Sequence, residues 1–368
     1  MKKLISAAFL FAAIFCLTTC QKKAQETGIE SEEKAFVYPE GSPVAIHGAL
    51  HVDGIQLVDK NNQPIQLAGV STIGWMWCKE CYTKESITHL VEDWHCNVIR
   101  AAMYVEEGGY NSDPEWNTQM MKNLIEWTGE LGVYCVVDWH MLSPGDPLAP
   151  EYKDAPAFFK EIADKYAGAD HVIYELCNEP NGPTVDWARI TEYANGIIPV
   201  IHGAADQVGA QHPVILCGTP RWDQVVNAPI ADGDRRLPYD NIMYTFHFYA
   251  STHTFYNEIY EVLGQLPVFC SEYGTVEASG NGEANFAATD KWLLMFNGNN
   301  AGKQLVSSCN WSFCDKPETS AALYPGACEK QEWDNVQPSG DYVKRFITMM
   351  NTGVKDSIVL NPANRYIP

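Results

Sequence analysis

The run VIYELC at 172–177 breaks off into Asn178-Glu179-Pro180. Six largely apolar residues in a row read as a parallel strand covered on both faces, and the proline ends it. Seven other runs share the form: IQLAGV at 65–70, NVIRAAM at 97–103, GVYCVVD at 132–138, PVILCG at 213–218, NIMYTFHF at 241–248, LPVFCS at 266–271 and LVSSCNW at 305–311. Helical spacing fills the intervals. Ile87, Leu90, Val91 and Trp94 make one stripe, and Met121, Leu124, Ile125, Thr128 and Leu131 a second. Trp187, Ile190, Ala194, Ile197, Ile198 and Ile201 make a third, and Pro156 opens a helix carrying Phe158, Phe159, Ile162 and Tyr166. Eight strand–helix units predict an α/β fold, a (β/α)8 TIM barrel. An N-terminal β-hairpin precedes it, from 50–52 and 55–58. An open doubly wound sheet is the alternative.

A barrel of this kind carries its chemistry at the C-terminal ends of the strands. Arg100 lies in the second run, Asp138-Trp139-His140 closes the third and Asn178-Glu179-Pro180 the fourth. His247-Phe248-Tyr249 closes the sixth, Ser271-Glu272-Tyr273-Gly274 the seventh and Trp311 the eighth. Glu179 and Glu272 are then two carboxylates on one rim. Glycoside hydrolysis needs such a pair, one protonated and one ionised. A salt-bridge network with Arg100 is the purely structural alternative. No metal-ligand spacing and no cofactor fingerprint stands in the sequence, and the glycines at 69–74, 280–282 and 298–303 fit neither a nucleophile elbow nor a phosphate loop.

Arg100, His140, Asn178-Glu179-Pro180, His247-x-Tyr249, Glu272 and Trp311 resemble the functional set of family 5 glycoside hydrolases, the cellulase-type (β/α)8 enzymes. The resemblance covers roughly 47–345 and is nearest to bacterial endo-β-1,4-glucanases. It implies Glu179 as general acid/base and Glu272 as nucleophile, with retention of anomeric configuration. It also implies a substrate-binding set of Arg100, His140, Asn178, His247, Tyr249 and Trp311. In that set the Arg100 charge and the Tyr249 phenol favour ionised Glu272, Asn178 meets a sugar 2-hydroxyl, His140 and His247 serve hydroxyls and the acid/base, and Trp311 is the floor under the sugar. Tyr104, Trp77 and Trp222 are candidate aromatic platforms, and Lys316 and Glu318 candidate hydroxyl partners, by their positions after strands. A mannanase or xyloglucanase of the same family is an alternative, and a glycan-binding lipoprotein without turnover another. Two departures stand out: Ser71-Thr72-Ile73-Gly74 where relatives often read Ser-x-His-Gly, and Tyr273 where Trp often follows the nucleophile.

Composition agrees with a neutral partner. The 368 residues are 46% hydrophobic and 19% charged, as ordered globular chains are. With 25 Lys+Arg against 46 Asp+Glu the formal charge is −21, which repels nucleic acid and anionic lipid. Eleven Trp, eighteen Tyr and fourteen Phe offer faces for sugar rings. Lys2 and Lys3 precede the apolar stretch 4–17, and Leu17-Thr18-Thr19-Cys20 resembles a lipoprotein cleavage box. The expected organisation is a signal peptide over 1–19, lipidation at Cys20, a flexible tether over 20–45 and one catalytic domain over 46–368. The chain is expected to be an exported monomer held to a membrane only by lipid, with plain secretion after cleavage nearby as the alternative. Of the twelve cysteines, Cys135, Cys177, Cys217, Cys270 and Cys309 read as buried small hydrophobes. Cys78, Cys81, Cys96, Cys314 and Cys328 read as exposed candidates for disulfides, with the pairing unassigned.

Overall fold

The computed structural model describes residues 36–297 and 303–368. A hairpin of β1 (His51–Asp53) and β2 (Gln56–Val58) precedes eight further strands. These are β3 (Ala68–Ser71), β4 (Val98–Tyr104), β5 (Tyr134–His140), β6 (Val172–Glu175), β7 (Ile215–Cys217), β8 (Ile242–Tyr249), β9 (Val268–Gly274) and β10 (Ser308–Asn310). They pair in parallel and in sequence order, and β10 closes on β3 through Ser308↔Ala68. Each of the eight apolar runs is one barrel strand. The helices are α1 (Pro43–His47), α2 (Lys84–Glu92), α3 (Pro114–Leu131), α4 (Ala155–Lys165), α5 (Trp187–Val208), α6 (Pro220–Asp223), α7 (Tyr256–Val262), α8 (Phe286–Phe296), α9 (Ala327–Lys330) and α10 (Pro338–Thr352). Among the described residues, no helix is long and apolar enough to cross a membrane.

Strand alternation divides the barrel into layers. Ile99, Cys135, Val137, Tyr174, Ile215 and Tyr244 belong to the large cluster shared with the helices. Their neighbours Val98, Tyr134, Val136, Ile173, Leu216, Met243, Phe269 and Cys309 form a separate one. That second cluster includes Val44 of α1, Leu50, and Leu57 of β2, so the hairpin and α1 plug the N-terminal end of the barrel. Two residues further along the same strand faces, the side chains become Arg100, Asp138, Glu175, Thr245 and Ser271, all fully buried. Apolar packing below therefore carries a charged layer above it.

The tether expected over 20–45 ends earlier. From Phe36 the chain packs on the barrel: the Phe36 ring meets His171 edge-on at 4.6 Å, and Tyr38 Oη lies 3.0 Å from His171 Nδ1. Ser42 caps α1, whose Val44 N–H donates to the Gly132 carbonyl. Three anchoring side chains spread over nine positions leave no period to read. The expected export segment and Cys20 lie outside the described residues.

The cysteine expectation also needs correcting. Cys81 and Cys328 are paired, but Cys78, Cys96 and Cys314 are buried free thiols and not exposed ones. The five cysteines read as small core hydrophobes are all buried. The disulfide fastens the segment after β3 to α9, across a sequence separation of 247.

If the plug supports the layer above it, shortening Leu57 should act globally. Leu57→Ala is expected to lower unfolding free energy by about 2–5 kcal/mol, the usual cost of a core leucine deletion. Chemical denaturation measures it, and kcat of the folded fraction should be unchanged.

Candidate active site

Arg100 projects from β4 into the barrel with no exposed surface. Its guanidinium has five N–H donors, and partners surround it. Nε and Nη2 clamp Glu175 at 2.7 and 3.1 Å. Nη2 also reaches Asn178 Oδ1 at 2.7 Å and Asp138 at 3.0 Å, and Nη1 donates to Glu272 Oε2 at 3.1 Å. Removing this charge would strand several buried carboxylates, a cost on the order of 3–5 kcal/mol.

Glu272 Oε1 accepts from the Tyr249 hydroxyl at 2.7 Å. Against the desolvation of its buried site, the charges of His247 and Arg100 and the Tyr249 bond hold its carboxyl below the usual glutamate value. Glu179 has the opposite bias, since burial pushes it up to about 7. One carboxylate oxygen of Glu179, one of Glu272 and a ring nitrogen of His247 lie within 4.8 Å of one another. The two carboxyls therefore differ as an acid and a nucleophile must.

His247 joins the two through its ring. Nδ1 lies 3.1 Å from Glu179 Oε1, and Nε2 lies 2.9 Å from Ser271 Oγ. The Ser271 hydroxyl spends its single hydrogen on Glu175 Oε1, at 2.7 Å. Its oxygen must then accept from His247, which places a proton on Nε2. Nδ1 is left facing Glu179, and both nitrogens are occupied.

Glu179 sits in the left-handed region, with φ 48°. Its N–H donates to Asp223 Oδ2 at 2.8 Å. Asp223 ends a turn in which Arg221, Trp222 and Asp223 all have positive φ, 61°, 57° and 55°. Such a turn costs about 1–2 kcal/mol per residue for side chains with a Cβ. It turns Trp222 outward, 45% exposed, and buries Asp223 completely.

A cleft of about 470 Å³ lies over this layer, lined by Tyr104, His140, Glu179, Trp222, Tyr249, Glu272, Trp311, Lys316 and Glu318 among others. Trp311 stacks on His140, with centroids 5.2 Å apart and planes 13° apart. The His140 ring is turned by Asp138, 2.7 Å from Nδ1. Trp77, half-exposed, packs against Tyr104 at 4.8 Å, and Lys316 lies over it while pairing with Glu318.

The sequence-predicted residues thus gather in one place, but three of them lie beneath the cleft. Arg100, Asn178 and His247 are 0–1% exposed. His247, with both nitrogens engaged, holds Glu179 and has none left for a sugar hydroxyl. Asn178 spends Oδ1 on Arg100 and donates from Nδ2 to the Met141 carbonyl. Arg100 likewise serves carboxylates. Sequence reasoning missed Glu175, Ser271 and Asp223 as members of the network. Of the two departures, Ile73 puts an apolar wall on the cleft, and its N–H is taken by the Tyr82 hydroxyl. Tyr273 faces away and stacks on Phe248.

Residues 58–317 match the family model described as cellulase, glycosyl hydrolase family 5. An endoglucanase of Clostridium saccharobutylicum is 40% identical over 320 residues, 85% of this chain and 68% of that protein. A Thermobifida fusca endoglucanase is 35% identical over 83% of this chain and 64% of its own length. The chain therefore spans about two-thirds of these relatives. Among solved structures, the cellulase Cel5C_n superposes with a TM-score of 0.78 at 40% identity, covering 85% of this chain and 95% of that one. The catalytic domain of a Thermobifida fusca endoglucanase, solved with cellotetraose, gives 0.75 at 33% identity over 84% and 100%. With this match in sequence and in barrel, the chain belongs to glycosyl hydrolase family 5, the cellulase family.

Proposed function

We propose that the protein is a retaining endo-β-1,4-glucanase that cleaves cellulose-type or mixed-linkage glucans. The separation of the two carboxyls carries the reading. Carboxylate oxygens within 4.8 Å of each other suit direct attack by one carboxylate, since carboxyl groups about 5–5.5 Å apart mark retaining enzymes and about 6.5–9.5 Å inverting ones. Ionised Glu272, oriented by Arg100 and Tyr249, attacks the anomeric carbon. Glu179 gives its proton to the leaving oxygen, then takes one from the water that releases the glycosyl-enzyme. Trp311 forms the floor under the sugar at the cleavage point. His140 and Tyr104 border the ring, and Lys316 and Glu318 meet hydroxyls further along.

Internal cleavage needs a chain lying across the barrel mouth. Trp77 follows β3 and Trp222 follows β7, and these strands are opposite each other in the closed order. Two exposed indoles therefore stand on either side of the glutamates. The relatives are named endoglucanases, and one solved catalytic domain holds cellotetraose. We further propose that the chain is exported, monomeric, and anchored through a lipid on Cys20.

Glu272→Gln is expected to abolish turnover of carboxymethylcellulose while calorimetry still detects cellotetraose binding; undiminished turnover would sink the assignment. Product anomers followed by NMR should form first as β. In the wild type, kcat/KM should fall as pH rises through about 7, where Glu179 loses the proton it must donate. The acid limb should lie below the ordinary glutamate value, because Glu272 stays ionised there. Metabolic labelling with palmitate should mark the protein in bacteria, and Cys20→Ala should remove the label and free the enzyme from the membrane fraction.

A further inference from the structure

We propose that Asp223 is a positioning residue for the acid/base: a buried carboxylate that fixes the Glu179 backbone on one side and faces the His247 ring on the other. The proposal rests on the assignment of Glu179 as acid/base. Asp223 is fully buried, yet it ends the four-residue segment α6, whose Arg221 and Trp222 have non-helical angles, and does not lie in a strand of the barrel. Three donors converge on it. Oδ2 accepts from the Glu179 N–H at 2.8 Å, and Oδ1 accepts from the Thr219 N–H at 2.5 Å and from Thr245 Oγ1 at 2.6 Å. A turn of three left-handed residues delivers it there, tied by Trp222 N–H to the Pro180 carbonyl and by Asp223 N–H to that of Thr219. Pro180 directly follows Glu179, so the turn grips the acid/base on both sides.

Asp223 also reaches the side-chain partner of Glu179. Its Oδ2 is 3.7 Å from His247 Nε2, while Nδ1 of the same ring is 3.1 Å from Glu179. The groups facing His247 come from several neighbouring elements: Glu175 at the end of β6 and Glu179 after it, Ser271 and Glu272 on β9, Asp223 on α6, Asp138 and His140 on β5 and His253 after β8. Burial opposes a charge on the imidazole. Asp223 leads the carboxylates that overcome it and raise His247 to about 9. When Glu179 passes its proton to the leaving oxygen, the new carboxylate then finds an imidazolium beside it. Asparagine at 223 would remove the charge. Its single oxygen could not serve three donors on two sides, and its amide would face the Glu179 N–H.

The test compares two substrates. A dinitrophenyl β-cellobioside carries a leaving group that departs without a proton, whereas cellotetraose needs one. For Asp223→Asn, kcat/KM on cellotetraose should drop about 10²-fold, the scale of a misplaced acid, with a change of less than about threefold on the dinitrophenyl substrate. Equal losses on both, or none on either, would overturn the proposal. Glu179→Gln separates the premises. If it lacks the same split, the acid/base assignment fails; if it shows the split and Asp223→Asn does not, only the role of Asp223 fails. Should Asp223→Asn not fold, NMR titration of His247 in the wild type decides. An imidazolium persisting well above neutrality is expected, and a neutral ring at pH about 7 would overturn the charge role.

Discussion

One buried guanidinium organises the catalytic layer. Arg100 binds Glu175, Asp138, Asn178 and Glu272 at once, from the centre of a barrel that excludes water. A lone cation there would be unaffordable, and so would the carboxylates without it. Each strand that contributes one partner is thereby fixed relative to β4, whatever its loops do. The charge on Glu272 and the barrel register are consequently one arrangement seen from two sides.

Beneath that layer the fold supplies rigidity and nothing chemical. The hairpin and α1 seal the lower opening with Val44, Leu50 and Leu57 against Val98, Val136 and Met243. Above it, exposure rises by degrees, from Arg100 and Glu175 to His247 and Glu272 and then to the exposed indoles of Trp77 and Trp222. The sugar meets side chains whose orientation is settled below the surface. His140 illustrates this: Asp138 turns its ring, and Trp311 then stacks on it.

Legibility followed burial pattern. Parallel strands covered on both faces appear as apolar runs, so all eight could be located, and polar residues just past them marked the rim. Glu175 escaped because it sits inside the run VIYELC, where a charge looks like an interruption and not a member of a network. Ser271 was seen only as part of a strand end, its hydroxyl being one link between His247 and Glu175. Asp223 follows Pro220-Arg221-Trp222 with no periodic signal, and its burial depends on a left-handed backbone that sequence does not advertise. The start of the domain was placed too late for a similar reason, since Phe36, Tyr38 and Val44 anchor singly. Cysteine pairing depends on which loops meet in space, and the flanking residues did not distinguish Cys81 from Cys78.

The Cys81–Cys328 bond has a consequence for the chain as a covalent object. It encloses every barrel strand from β4 to β10, leaving among the described residues β3 and the N-terminal plug before it and α10 with its tail after it. A protease that cuts any rim loop between those two cysteines opens a closed loop without releasing a fragment. The halves remain one molecule, and the barrel can stay shut around the cut. Nicking and inactivation thereby become separate events.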